Sequence, residues 1–263
     1  MPSKQSNSTP LNKWGYIILL IVLFAAAILT LLYRKSARPV LQRLHDKNIT
    51  YKTYEGTIGT RTKIMLPDNT PVILNSHSRL LVPSNFAQQR IVLLDGEAYF
   101  DSTAHPITVK TNIVTMSTQA PSIFKLRCFE AQQGATAYVL QGQVKVVKSY
   151  HSATDNQPEI LGPGNMILAN KEIDLMEKET YHPVDMEVWR QEKLMFHDEP
   201  FMNAVHKLED WYSTEIYVEG DVSGAGNVDG DFQGKTLQEV MDEMKKTAKF
   251  VYKVKKDKIV VEF

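Results

Sequence analysis

The stretch from Gly59 to Phe100 reads GTRTKIMLPDNTPVILNSHSRLLVPSNFAQQRIVLLDGEAYF, and it commits the chain to β-structure. Ile64 and Leu66 fall on one face of an alternating segment. Pro67-Asp68-Asn69-Thr70 then turns the chain, because proline presets φ and Asp and Asn side chains accept from turn backbone. Val72 and Leu74 resume the alternation, so the spacing predicts a hairpin with a four-residue loop. Leu80–Val82 and Ile91–Leu94 follow as further strands. Asp95-Gly96 has tight-turn chemistry, and Ala98-Tyr99-Phe100 leads away from it. The stretch contains no nucleophile–base pair at a catalytic spacing.

Short apolar runs continue past Phe100: 107–109, 113–116, 123–129, 135–140, 144–147, 160–161, 166–168 and 173–175. Turn residues separate them at His105-Pro106, Gln133-Gly134, Gln141-Gly142 and Pro163-Gly164-Asn165. Strands at roughly ten-residue spacing predict a sandwich or a β-solenoid, two folds that alternation does not separate. This β body is expected over 55–176.

Towards the N-terminus the pattern changes. Residues 1–14 form a polar tail. Residues 15–33, GYIILLIVLFAAAILTLLY, carry no charge and no polar face. At ~1.5 Å per residue the run spans ~28 Å, enough for a hydrocarbon core, and Trp14, Tyr16 and Tyr33 flank it as interfacial aromatics do. The apolar run continues beyond Ala25-Ala26-Ala27, which argues for an uncleaved transmembrane helix over a signal peptide. A juxtamembrane linker over 34–54 is expected, with a short helix over 38–46 and a strand or linker at 49–54.

Residues 177–192 are charged, contain Pro183, and are read as a linker. From 193 to 263 an internal repeat emerges at an offset of about 36 residues. Phe196 aligns with Phe232, Phe201 with Leu237, Ala204 with Val240, Val205 with Met241, Leu208 with Met244, and Ile216 with Tyr252. Each unit reads strand–helix–strand. Leu237, Val240, Met241 and Met244 recur at i, i+3, i+4 and i+7. Thr236 with Glu239 three residues on is a capping box. The whole chain is therefore expected to be mainly β with a C-terminal α+β domain of two βαβ units.

The 263 residues carry 30 basic and 30 acidic side chains, a balance that gives no electrostatic footprint for nucleic acid. Cys128 is the one cysteine, so no intrachain disulfide forms; its alternating surroundings predict a buried packing thiol. The seven histidines contain no i, i+4 pair and no HExxH, so no metal ligand set and no cofactor motif are read. Asp95 and Glu97 flank the expected turn, and His197-Asp198-Glu199 is placed in a strand-to-helix turn. A lysine cluster near the C-terminus stands out. Lys253, Lys255, Lys256 and Lys258, with Ile259 and Val261 of the closing strand, are the candidate partner-binding residues: an uncovered strand edge beside cationic side chains suits strand addition by an acidic partner.

Residues 59–100 also resemble the periplasmic domain of FecR-type transmembrane sensors. The matching residues are Gly59, Arg61, Leu66-Pro67-Asp68, Thr70, Val72, Leu74-Asn75, Ser78, Leu80, Pro83, Phe86, Arg90, Val92, Leu94 and Gly96-Glu97-Ala98-Tyr99-Phe100. Asn69 replaces the usual glycine and tolerates the same left-handed backbone. Gly142-Gln143-Val144-Lys145-Val146 and Leu161-Gly162-Pro163-Gly164 continue the match; Ser117–Phe124 matches loosely. The tandem βαβ units are similar to the short N-terminal domain of secretins and TonB-dependent receptors, in which one branch of the family ends.

The resemblance implies a single-pass inner-membrane protein with its bulk in the periplasm. It would relay contact with the signalling domain of a TonB-dependent outer-membrane receptor toward an extracytoplasmic-function sigma factor. Lys4 and Lys13 precede the apolar run while Arg34, Lys35, Arg38 and Arg43 follow it, so the positive-inside tendency favours the opposite orientation; the family's orientation is followed here. The family's helical cytoplasmic anti-sigma segment has no counterpart in residues 1–14. The alternative reading is a membrane-anchored periplasmic glycan-binding or envelope scaffold module. Neither is an enzyme.

Overall fold

The computed structural model describes residues 44–46, 48–255 and 258–263. The expected tail, transmembrane helix, most of the juxtamembrane segment, and Lys256 lie outside the described residues. Among the described residues, no helix is long and apolar enough to cross a membrane. Residues 44–263 form one compact unit.

The β body opens with β1 (Tyr51–Glu55), within the stretch read as strand or linker, and the hairpin β2 (Thr62–Met65) and β3 (Pro71–Leu74). The hairpin turns as expected: Asn69 takes φ 65°, and Asp68 Oδ1 accepts from Thr70 N at 3.1 Å. Then come β4 (Arg79–Pro83), the one-turn α1 (Phe86–Gln89), β5 (Ile91–Ser102), β6 (Thr108–Lys110), β7 (Val114–Thr118), β8 (Ser122–Cys128), β9 (Gly134–Gln141), β10 (Val144–Lys148), β11 (Glu159–Leu161), β12 (Asn165–Asn170) and β13 (Leu175–Thr180).

All described pairings in the body are antiparallel except β5 with β6. The strands make one continuous sheet that bends back on itself in two leaves, and neither a sandwich of separate sheets nor the stacked parallel coils of a β-solenoid is built. The first half of β5 pairs with β4 and β6, the second half with β3 and β8. One strand thus belongs to both leaves, and they close on a shared core that includes Leu74, Leu94, Phe100, Phe124, Val144 and Ile167. Lys178 Nζ on β13 donates to Ile160 O of β11, so the two ends of the sheet come together in a nearly closed barrel.

The turn expected at Asp95-Gly96 is absent: β5 runs straight through as a 12-residue strand. Gly96 is the point at which the strand passes from one leaf to the other, with φ 128°, and a Cβ there would lie 2.5 Å from Ser78. The dipeptide supplies a bend and a close approach, which need the same backbone freedom as a turn. Of residues 173–175 only Leu175 is strand, as the first residue of β13; Ile173 and Asp174, the latter at φ 54°, lie in the turn before it.

Residues 177–192, read as a linker, are ordered structure: the end of β13 and helix α2 (Pro183–Arg190), with Pro183 in its first turn. The two repeat units follow, as β14 (Met195–Pro200), α3 (Phe201–Tyr212), β15 (Glu215–Glu219), then β16 (Asn227–Asp231), α4 (Leu237–Ala248), β17 (Val251–Val254), with β18 (Lys258–Glu262) closing. The aligned pairs share one core: Leu208 is 0% and Met244 2% exposed, and the Phe196 and Phe232 rings meet edge-on at 5.7 Å. Both halves of the Thr236–Glu239 capping box are made. His197-Asp198-Glu199 lies within β14, at a bulge with Asp198 at φ 48°, and not in a strand-to-helix turn. β14 pairs with β16, and β18 sits between β15 and β17.

Candidate functional site at the junction of the two cores

The β body and the repeat domain meet through side chains that the sequence reading did not join. Arg61, just before β2, reaches out between two indoles. Its guanidinium carbon lies 3.9 Å from the Trp189 ring and 4.3 Å from the Trp211 ring. Its terminal nitrogens donate to the carbonyls of the same two residues, Trp189 and, at 3.5 Å, Trp211. A planar guanidinium can stack on two faces and donate at its edge simultaneously; an ammonium cannot. Burial pulls its pKa down to about 10, opposed by the nearby Glu97 and Glu192 carboxylates, so it stays cationic. Trp189 and Trp211 are the next-to-last residues of α2 and α3, so one β-body arginine holds two helices.

Glu97, on the second half of β5, is 1% exposed. Lys125 Nζ lies 2.6 Å from Oε1. Asn75 Nδ2 donates to Oε2 at 2.7 Å and Ser213 Oγ at 2.6 Å, with Arg127 Nη1 3.8 Å away. Burial by itself raises the pKa, but Lys125 and Arg127, with the Lys125 and Ser213 hydrogen bonds, outweigh it and set it at about 2. The carboxylate is therefore a fixed anion with its acceptor sites filled. Ser213 caps α3 at φ 48°, donating to Glu97 and accepting from Arg127 Nη1 at 2.7 Å. Asn75 Nδ2 also donates to Trp211 O at 3.0 Å.

Backbone completes the junction. Leu237 N, at the start of α4, donates to Gly59 O at 2.8 Å, and a Cβ on Gly59 would come 2.8 Å from Leu237 Cβ. Gly59, Arg61, Asn75 and Glu97 are all motif residues of the resemblance. Their partners, Trp189, Trp211, Ser213 and Leu237, are more than a hundred positions away in sequence. Chain reading missed the site because an arginine before a strand and a glutamate within one carry no local signal of their partners.

The sequence-predicted partner residues lie elsewhere. Ile259 and Val261 are 2% and 0% exposed on β18, which is the central strand of its sheet, so they offer no uncovered edge. The chain end is covered because β15 pairs with β18 in parallel, a crossover that local reading does not reveal. The open edge on the lysine-bearing side is β17, with Val251 60% and Val254 51% exposed. Lys253 on β17 is exposed and paired with Glu262 at 2.9 Å; Lys255 is exposed just after it. Lys258 lies with its Nζ 4.2 Å from the centre of the Tyr217 ring. Cys128 is fully buried, as expected, with its thiol pushed up to about 11 by burial.

Comparison with known proteins agrees with this architecture. Residues 50–145 match the FecR protein family model and residues 193–261 the FecR, C-terminal model. Two crystal structures of a candidate anti-sigma factor from Parabacteroides distasonis ATCC 8503 share the fold, with TM-scores of 0.54 and 0.53. Each is 22% identical; the alignments cover 81% and 80% of this chain and 99% and 98% of the other. No curated protein matches the chain. With both family segments matched in order, and the motif residues of the first segment gripping the second, the chain belongs to the FecR family of signal-transducing sensors.

Proposed function

We propose that the chain relays contact with a TonB-dependent outer-membrane receptor toward an extracytoplasmic-function sigma factor, from a single-pass position in the inner membrane with residues 55–263 in the periplasm. The observation that carries the reading is the Arg61–Glu97 junction. A relay needs the segment that is touched and the segment that responds to move as one body, and the junction ties the repeat domain to the β body with charge-assisted bonds. The repeat domain contributes the contact surface through the β17 edge and its lysines. Sigma control passes directly or through a further cytoplasmic protein. The glycan-binding alternative is disfavoured at the junction, because Trp189 is only 5% exposed, with Arg61 and Lys125 against its ring, and presents no open platform for a sugar.

Two measurements test the reading. Protease added to spheroplasts should digest residues 55–263; protection until lysis would reverse the orientation. A sigma-dependent reporter in cells should lose its response to receptor ligand when the gene is deleted and regain it with the wild-type chain, but not with Arg61→Ala produced at equal level. An unaltered response in the deletion strain would remove the chain from the pathway.

A further inference from the structure

The β15–β18–β17 sheet of the repeat domain has two open edges among the described residues, β15 and β17. Its solvent face is neutral but polar. Glu215, Tyr217 and Glu219 stand on β15, Lys258 and Glu262 on β18, and Val251 and Lys253, with Lys255 just beyond, on β17. Lys253 is paired with Glu262 at 2.9 Å, and Lys258 lies in register with Glu215. With those neighbours counted, every charge on the β15 edge is an acid and every charge on the β17 edge a lysine. Glu215, Glu219 and Lys255 make no salt bridge among the described residues. The asymmetry continues past the strands, with Asp221 after β15 and Lys249 before β17.

The backbone fixes how these edges can meet. Phe263 N donates to Glu219 O, so Glu215, Tyr217 and Glu219 turn their amides to β18, and Ile216 and Val218 turn theirs outward. Lys255 N donates to Lys258 O, which leaves the amides of Tyr252 and Val254 outward. β15 is parallel to β18 and β17 is antiparallel to it, so two copies set side by side in one orientation bring β15 antiparallel to β17. With the strands fully overlapped and outward amides facing, Val218 lies across from Tyr252 and Ile216 across from Val254. The solvent-facing pairs are then Glu215 with Lys255, Tyr217 with Lys253 and Glu219 with Val251. One of the four donors has a competitor, since Ile216 N donates to Glu209 Oε1 at 2.8 Å. The other three meet none among the described residues.

We propose that β15 of one copy adds antiparallel to β17 of a second copy. Strand addition of this kind covers Val254 and opposes unlike charges, whereas β17 on β17 sets lysine against lysine and β15 on β15 sets glutamate against glutamate. The contact is heterologous, so each joined pair keeps one free edge of either kind and extends along a row of sensors. It occupies the edge that the receptor reading gives to the receptor, so the two occupants of β17 exclude one another. It does not rest on that reading, because it follows from the two edges of this chain alone.

Disulfide trapping tests it on the full chain in detergent micelles. Tyr217 and Lys253 are exposed, and native Cys128 is buried. In the proposed register they form a pair without backbone hydrogen bonds, whose Cα atoms lie about 4.5 Å apart, within disulfide reach. Under mild oxidation a mixture of Tyr217→Cys and Lys253→Cys chains should form linked dimer about tenfold faster than either alone. It should also outpace a mixture of Glu215→Cys and Val251→Cys, which is four residues, or about 13 Å, out of register. Glu215→Lys added to the first chain, or Lys255→Glu to the second, should slow trapping, and the two together should restore it. Glu215→Lys lies off the β17 edge and should leave receptor binding unchanged, which separates this contact from the receptor's. Equal trapping out of register, trapping by Lys253→Cys alone, or no restoration by the charge swap would overturn the proposal.

Discussion

Ser213 Oγ donates to Glu97 Oε2 over 2.6 Å, across 116 positions of sequence. The left-handed cap of α3 is thereby hydrogen-bonded to a carboxylate buried within β5. The buried carboxylate needs donors, and the end of α3 supplies one through Ser213, while the Trp211 carbonyl of the same helix end accepts from Asn75 Nδ2 at 3.0 Å.

Stability should accordingly depend on the charge of Glu97. Its folded pKa of about 2 lies below the ordinary 4.5 of a glutamate, so its contribution is fully present above about pH 4.5 and drains as pH falls toward 2. The difference corresponds to about 3 kcal/mol. Glu97→Gln leaves Lys125 buried without its counter-charge and should cost about 3–5 kcal/mol at neutral pH. Urea midpoints from pH 7 to pH 2 check both, because the variant should also show a shallower pH dependence in the acid part of that range, Asp174 and other lowered carboxylates keeping the rest. A variant with the wild-type acid slope would assign the titration to another carboxylate.

Arg61 should resist conservative replacement. Arg61→Lys keeps the charge but loses the double stacking and the forked donors to the two tryptophan carbonyls, so it should behave nearly as Arg61→Ala does. Either should weaken the junction by roughly 2–4 kcal/mol. Hydrogen exchange should quicken at residues 186–190 and 211–214 while core strands such as β8 stay protected. Wild-type exchange in Arg61→Lys would mean that charge alone holds the helices.

These two residues mark the limit of what the chain discloses by itself. The β2–β3 hairpin, the α4 capping box and the paired cores of α3 and α4 were legible, because each rests on contacts within a few residues or on a constant repeat offset. Asp95-Gly96 misled because positive-φ glycine serves both a turn and a strand that changes leaves, and only the approach of Ser78 distinguishes them. Ile259 and Val261 misled because the last strand of a chain is an edge only if nothing earlier folds back beside it, and β15 does. The Arg61–Trp189–Trp211 stack was illegible for a simpler reason. Stacking partners from three distant segments leave no periodicity in any of them.

The repeat domain should unfold as a unit. Leu208 and Met244 occupy equivalent places on α3 and α4 and share one core. Leu208→Ala or Met244→Ala should each cost roughly 2–5 kcal/mol, and the effects should be non-additive if the cavities merge. Denaturant midpoints followed by tryptophan emission measure this through Trp211 at the end of α3. If neither truncation moved the midpoint, the two units would not be sharing a core in solution.

The β17 edge supplies the sharpest test of receptor contact. Lys255 N donates to Lys258 O in the β17–β18 ladder. Since antiparallel pairs alternate, the N–H groups of Val254 and Tyr252 point to the open side, where an added strand would accept them. Val254→Pro removes one of those donors while sparing the ladder to β18, and Val254 is exposed enough that the core is untouched. The variant should keep its thermal midpoint and lose binding to a purified receptor signalling domain. Lys253→Glu with Lys255→Glu should act differently, slowing association more than it speeds dissociation, with the deficit shrinking as salt rises. Strand addition requires both signatures, because backbone donors set how long the strand stays and the lysines set how often it arrives. Full-strength binding by Val254→Pro would place the contact on another surface of the repeat domain, with the acidic-sided β15 edge the next to be probed.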